Sequence, residues 1–300
     1  MSEPIDTTLH AFAQQMRSEY RAMIPAAGQP DLVSNVETFF IELPCGYSLP
    51  ARLYTPTRDS NQEKLPIVLF VHGGGWVSGD LDTHDVLARG LANGVHAVVL
   101  AIEYRLAPEH PAPRGIEDVY GALQWLDNNA EQLGADKNRL VISGDSAGGN
   151  IAAVVSMLTK QRQGPNIRAQ WLMYPAANFD ITTNSFEQYG QTYFPTKEVM
   201  KRVTACYVPS GMDVNSPLLS LFHGDLPQMP PTLISVGSYD PLSDGCKDYV
   251  QALQDAGVQA KVSVFAKQQH GFIQFYKDTA NHPGGQPALD EGIAFLHHYL

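Results

Sequence analysis

Arg139-Leu-Val-Ile-Ser-Gly144-Asp-Ser146-Ala-Gly148-Gly-Asn150 is the stretch of sequence that decides the fold. A short apolar run, typical of a buried strand, leads into a serine between two glycines, and an apolar segment of helical length follows at once. The pattern Gly144-x-Ser146-x-Gly148 is typical of a sharp strand-to-helix turn that lifts the serine hydroxyl clear of a sheet. A side chain at either glycine is expected to collide with a neighbouring strand or helix. An ordinary helix-capping serine fits the same pattern, so the partners of Ser146 must decide between the two.

Outward from this turn, apolar runs alternate with amphipathic segments along most of the chain. A hairpin is predicted first, and its two strands are followed by buried strands that alternate with helices. The predicted strands are 36–43, 48–55, 66–71, 97–102, 140–143, 168–174, 232–236 and 260–265. This order predicts an α/β fold in one domain over 1–300, a mostly parallel, doubly wound, eight-stranded sheet with helices on both faces.

Two segments lie outside the alternation. Residues 6–24 carry apolar side chains at three- and four-residue steps, which predicts an amphipathic helix. After Asn178 the chain becomes rich in Phe, Tyr and Thr, with a further helix predicted over 197–207. We therefore expect a helical cap formed by about 1–45 and about 178–213, and a polar surface loop over 59–64.

A serine hydroxyl becomes a good nucleophile only when a base held by a third group takes its proton. In a sheet of this kind the chain order is serine, then acid, then histidine. Of the ten histidines, His270 follows a predicted strand closely and is flanked by Gly271. Asp240 alone sits just past the buried strand at 232–236, and Asp244 is the second choice. Ser146, Asp240 and His270 are the predicted triad.

Acyl transfer also needs backbone N–H groups that already point at the developing oxyanion. His72-Gly-Gly-Gly75 directly follows a predicted buried strand, and glycines there let a substrate approach the main chain. The predicted donors are the N–H groups of Gly74 and Gly75, together with that of Ala147 behind the serine.

With these residues the chain resembles the hormone-sensitive-lipase-like (family IV) carboxylesterases of the α/β-hydrolase fold. The motifs that carry the resemblance are His72-Gly-Gly-Gly-Trp-Val-Ser-Gly-Asp-Leu-Asp-Thr-His84, Tyr104-Arg-Leu-Ala-Pro-Glu-His-Pro111, Gly144-Asp-Ser-Ala-Gly-Gly-Asn150, Asp240-Pro-Leu242 and His270-Gly-Phe272. The resemblance implies the same triad, the same oxyanion hole and a cap. Glu103, Ser238, Gly245 and Cys246 depart from residues common in the family, so pocket electrostatics are not carried over.

The expected activity is hydrolysis of short- to medium-chain acyl esters through an acyl-serine, with no metal and no cofactor. The candidate pocket walls are Trp76, Phe179, Phe186, Tyr189, Tyr193, Phe194 and Phe272. An amidase, arylformamidase or lactonase on the same fold is an open alternative. A non-catalytic receptor of the gibberellin type is disfavoured, because such receptors lack the catalytic histidine and His270 is present.

Composition limits the partners. The formal net charge of −11 and the pI near 5.3 argue against nucleic acid and anionic membrane surfaces. No apolar run reaches the length of a membrane span, and the first residues lack the apolar centre of a signal peptide. Three widely spaced cysteines favour reduced thiols and a cytoplasmic location. The expected partner is a small-molecule ester, and a homodimer is allowed.

Overall fold

An eight-stranded sheet forms the centre of the molecule in the computed structural model, which describes residues 7–57 and 64–300. Nearly all of the loop predicted at 59–64, and the first six residues, lie outside the described part. The strands are β1 (Asn35–Glu42), β2 (Ser48–Thr55), β3 (Leu65–Val71), β4 (Val98–Ile102), β5 (Ala135–Asp145), β6 (Gln170–Met173), β7 (Thr232–Gly237) and β8 (Ala260–Phe265).

The order across the sheet is β1-β2-β4-β3-β5-β6-β7-β8. β1 and β2 form an antiparallel hairpin and β2 is antiparallel to β4, while β4, β3 and the remaining strands pair in parallel. All residues of β3, β4 and β7 are buried. Because successive side chains on a strand point to opposite faces, both faces of the sheet are covered. The predicted mostly parallel sheet is confirmed.

Helices precede β1, follow β8 and separate the strands from β3 onward. They are α1 (Thr7–Ala22), α2 (Asp85–Val95), α3 (Arg114–Asn129), α4 (Ala147–Gln161), α5 (Asn184–Tyr189), α6 (Lys197–Tyr207), α7 (Ser243–Asp255) and α8 (Gly285–Tyr299). α2 packs against α8, and α3 packs against α4. None of the helices described is long and apolar enough to span a membrane.

The cap candidates are helical, but the N-terminal part is shorter than expected. α1 packs on α6, and the insertion after β6 carries α5 and α6 without a strand. Within the predicted segment 1–45, however, residues 35–42 pair with β2 along their whole length. β1 therefore belongs to the sheet, because its backbone groups find partners there, and residues 35–42 are not part of a helical cap.

Arg17 ties α1 to the sheet side of the molecule. Its guanidinium donates to the carbonyl oxygens of Val77 and Ala107 at 2.8 and 3.0 Å. It also forms an ion pair with Glu109 at 2.6 Å. The N-terminal helix is therefore held by polar contacts to the loop that follows β3 and to the loop that follows β4.

Candidate active site

Ser146 stands at the turn between β5 and α4. Its φ of 53° and ψ of −119° are a conformation that residues with a side chain rarely adopt. Its backbone N–H donates to the carbonyl oxygen of Met173 at 2.8 Å, which fixes the turn against β6. An added Cβ at Gly148 would lie 2.2 Å from the carbonyl oxygen of Val71, and one at Gly144 would lie 2.7 Å from it. The expected need for both glycines is thus explained by the close passage of β3.

His270 and Asp240 meet Ser146 from two other loops. The loop after β8 brings His270 Nε2 to 2.8 Å from Ser146 Oγ. The turn after β7 brings Asp240 Oδ2 to 2.7 Å from His270 Nδ1. Asp240 is fully buried and the His270 side chain is 4% exposed. The three residues proposed from chain order are therefore joined by two short hydrogen bonds.

The partners of His270 fix the arrangement of its protons. Asp240 is an acceptor, so Nδ1 carries the hydrogen and Nε2 is free to accept the Ser146 hydroxyl proton. The second oxygen of Asp240 accepts the Leu242 N–H at 2.8 Å, which keeps the carboxylate aimed at the ring. With its hydrogen on Nδ1, the neutral form of the ring presents Nε2 to Ser146 as a base.

Asp244, the second choice for the acid, has other partners. Its Oδ2 accepts the backbone N–H of Ser185 at 2.8 Å, and its Oδ1 lies 3.1 Å from Lys247 Nζ. Its carboxylate therefore tethers the start of α5 to α7, and Asp240 is the acid that lies beside His270.

The glycine turn after β3 lies next to the serine. Gly74 has a φ of 121° and Gly75 a φ of 63°, values that favour glycine. An added Cβ at Gly74 would come within 2.1 Å of the Ser78 carbonyl oxygen. Gly75 and Ala147 line a cavity together with Ser146, and Gly74 precedes Gly75 in the same turn. These are the backbone positions expected to supply oxyanion donors.

A family model described as the alpha/beta hydrolase fold matches residues 68–274, a range that includes Ser146, Asp240 and His270. The chain belongs to the α/β-hydrolase family. It is 38% identical to the carboxylesterase NlhH of Mycobacterium tuberculosis over 255 residues, which are 83% of this chain and 77% of that protein. It is 32% identical to an ethyl acetate hydrolase of Pseudomonas putida over 265 residues, 87% of this chain and 82% of that protein.

Solved esterase structures have the same architecture. The carboxylesterase EstE1, cloned from a metagenomic library, matches with a TM-score of 0.89 at 34% identity and covers 97% of both chains. The hyperthermophilic esterase of the archaeon Pyrobaculum calidifontis matches with a TM-score of 0.88 at 34% identity over 97% of this chain and 93% of that one. The resemblance drawn from the motifs is confirmed.

The cavity of this hydrolase is narrow and mostly apolar. Its volume of about 20 Å³ holds roughly one water molecule. It is lined by Met16, Gly75, Trp76, Ser146, Ala147, Ala176, Phe194, Pro195, Val199, Met200, Val203 and Leu242. Of the seven predicted wall residues, Trp76 and Phe194 lie on it, and the Phe194 ring centroid is 5.8 Å from that of His270.

The other predicted wall residues of this hydrolase lie elsewhere. Phe179 stacks on Trp76 with ring centroids 5.2 Å apart, so it supports a wall from behind. Tyr189 and Tyr193 both pack against the Tyr239 ring at 5.6 Å. Phe186 and Phe272 are buried and are not among the residues that line the cavity. Phe272 turns inward to pack against Tyr174 and Phe265.

Two helices supply wall residues that the sequence reasoning missed. α1 contributes Met16, and α6 contributes Val199, Met200 and Val203. The three α6 residues recur at one- and three-residue steps on one helical face, a spacing that could have indicated them.

A polar group beneath the glycine turn of this hydrolase was also missed. Asp145 Oδ1 accepts the Gly73 N–H at 2.8 Å and lies 3.2 Å from His84 Nε2. Burial by itself raises the pKa of Asp145, but the facing His84 and the Gly73 N–H together hold it below its ordinary value. Burial, followed by the neighbouring His84, lowers the pKa of His72 to about 4, so His72 is neutral at pH 7. Among the described residues no group of three or more His, Cys, Asp or Glu side chains could hold a metal ion.

Proposed function

We propose that this protein is a serine carboxylesterase of short- to medium-chain acyl esters, with Ser146 as nucleophile, His270 as base and then acid, and Asp240 as the residue that orients His270. The observation that carries the proposal is the chain of two hydrogen bonds, at 2.8 and 2.7 Å, that links the three side chains. Relatives named as carboxylesterases and esterases over most of the chain support the same bond type.

Acylation follows from this geometry. Ser146 Oγ attacks the ester carbonyl carbon as its proton passes to His270 Nε2, and Asp240 stabilises the imidazolium that forms. The carbonyl oxygen becomes an oxyanion, and we assign its binding to the N–H groups of Gly74, Gly75 and Ala147, each worth about 2.7–4 kcal/mol of barrier. The imidazolium then gives its proton to the leaving alcohol. A water molecule next attacks the acyl-serine while His270 takes its proton, and His270 returns that proton to Ser146 Oγ as the acid is released.

The shape of the cavity supports small substrates. Its lining is dominated by aliphatic and aromatic side chains, and it holds roughly one water molecule, so side chains must move to admit an acyl chain. Short and medium apolar chains require the least movement. The relative named as an ethyl acetate hydrolase acts on an ester of this size.

The test is a turnover profile over p-nitrophenyl esters of graded acyl length, with a matched aryl ester and anilide measured in parallel. We expect a maximum at short or medium chains and a strong preference for the ester. A preference for the anilide would instead support the amidase alternative, and an inert protein that fails to react with an organophosphate at Ser146 would support a receptor.

We also propose that the protein is cytoplasmic and homodimeric. The three cysteines are widely spaced in the sequence, which favours reduced thiols and suits a reducing compartment. Phe40 on β1 and Val264 on β8 are exposed at the two edges of the sheet, where a second copy could cover one of them. Light scattering and cell fractionation test these two points.

A further inference from the structure

The turn that carries Ser146 and the turn that carries Gly74 and Gly75 are joined by one buried carboxylate. Asp145 directly precedes Ser146, is 2% exposed, and its Oδ1 accepts the Gly73 N–H at 2.8 Å. An added Cβ on Gly73 would lie 2.3 Å from Asp145 Oδ2, so the carboxylate packs directly against the glycine backbone. No other residue type at position 73 leaves room for this contact.

The His84 ring is held by hydrogen bonds at both of its nitrogens. Thr83 Oγ1 donates its hydrogen to the Asp80 carbonyl oxygen, so it accepts from His84 Nδ1 at 2.9 Å. Tyr20 donates its hydrogen to Gln274 Oε1, so its oxygen accepts from His84 Nε2, 3.3 Å away. Asp145 is a further acceptor at Nε2, 3.2 Å away, so each of these partners of the His84 ring can accept a hydrogen bond from it.

Asp145 is the carboxylate in direct contact with the buried His84 ring. The His84 side chain is 1% exposed. The remaining titratable rings that face it are Tyr20 from α1 and His72 from the end of β3, the latter with ring centroids 5.5 Å apart. A buried polar ring of this kind is tolerated only when it is hydrogen-bonded. Asp145 is its partner.

We propose that the Asp145–His84 ion pair is a positioning device for the oxyanion hole: it clamps the Gly73–Gly75 turn to the serine turn, so that the N–H donors of both turns point at one substrate oxygen. The proposal rests on the proposed esterase function, because only a developing oxyanion needs this alignment. Neither residue lines the cavity, so both act through the backbone that they hold.

The test compares Asp145→Asn, Asp145→Ala and His84→Gln with the parent enzyme. The asparagine can still accept the Gly73 N–H, although as a weaker neutral acceptor, whereas the alanine cannot. We expect kcat to fall about tenfold in Asp145→Asn and about a hundredfold in Asp145→Ala, with KM changed less than threefold, since a lost oxyanion donor costs about 10²–10³ in kcat. The kcat of His84→Gln should lie between those of the two Asp145 variants.

A second readout separates alignment from general damage. A thionoester places sulfur where the ester has its carbonyl oxygen, so the ratio of ester to thionoester turnover reports how well fixed N–H donors fit the oxygen. This ratio should fall in all three variants. Asp118→Asn removes one side of another buried ion pair, with Arg105 at 2.6 Å, and should lower thermal stability while kcat and the ratio stay at parental values.

The proposal is overturned if Asp145→Ala and His84→Gln melt at lower temperature but retain the parental kcat and ester preference. If the single variants do not fold, the double variant His84→Gln/Asp145→Asn leaves no unpaired charge, and parental kcat there would overturn the proposal equally. Failure of the esterase function itself is distinct: the parent and Ser146→Ala would then show the same background turnover.

Discussion

The floor and the roof of the cavity are built in different ways. The floor consists of Ser146, the glycine turn and the His270 loop, all at the ends of parallel strands and held by hydrogen bonds of 2.7–2.8 Å to buried partners. The roof consists of apolar side chains of α1 and α6, which carry no polar contact to the reacting groups. We infer that the floor carries out the reaction, whereas the roof selects the acyl chains that reach it.

The largest loss of activity is expected when the nucleophile of the floor is removed. Ser146→Ala should lower kcat by about 10⁶ while the melting temperature changes little, because the hydroxyl makes no packing contact that alanine lacks. Ester turnover and a thermal melt of the same sample check this. A variant that keeps a tenth of parental activity would show that another group is the nucleophile.

Removing the charge of the orienting acid is the next largest effect. Asp240→Asn should lower kcat by about 10⁴, because an amide in place of the carboxylate no longer favours the tautomer with hydrogen on Nδ1. Asp244→Asn is the matched control, since Asp244 bonds to Ser185 and Lys247 instead. The kcat values of the two variants should differ by orders of magnitude in steady-state kinetics. Equal losses of kcat would show that Asp240 is not the orienting acid.

The backbone of the floor is expected to tolerate no side chain at the serine turn. Gly148→Ala places a Cβ 2.2 Å from the Val71 carbonyl oxygen, and we expect a loss of about 3 kcal/mol in the free energy of unfolding. Gly245→Ala is the control: its nearest neighbour would be 3.8 Å away and it lies within α7, so the substitution should stabilise by up to about 1 kcal/mol. Urea unfolding measures both, and similar midpoints would contradict the tight passage of β3.

A substitution in the roof should change the preference for acyl length with little loss of rate. Val203→Ala removes two methyl groups from the cavity wall, so kcat/KM should rise by about tenfold for esters one or two carbons longer than the parental optimum. Turnover of the shortest ester should change less than threefold. Val264→Ala, at an exposed position outside the roof, should leave the acyl-length profile unchanged. An equal shift in that variant would show that the roof does not set the preference for acyl length.

The sequence predicts the residues of the floor more directly than those of the roof. Ser146, Asp240 and His270 each follow a buried apolar run, and parallel strands bring such ends to one edge of the sheet. The expected wall residues are aromatic, whereas the side chains that α6 contributes to the cavity wall are aliphatic. Phe272 follows the histidine closely, yet its side chain turns into the core. Asp145 and His84 lie far apart in sequence, and nothing local to either one indicates the other.

The φ of 53° at Ser146 has a consequence for the history of such a chain. Backbone strain of this kind costs about 1–3 kcal/mol, and alanine does not relieve it because alanine still has a Cβ. Glycine would. A descendant that is no longer selected for turnover could therefore gain stability by the single change Ser146→Gly. It would be a more stable protein without hydrolase activity.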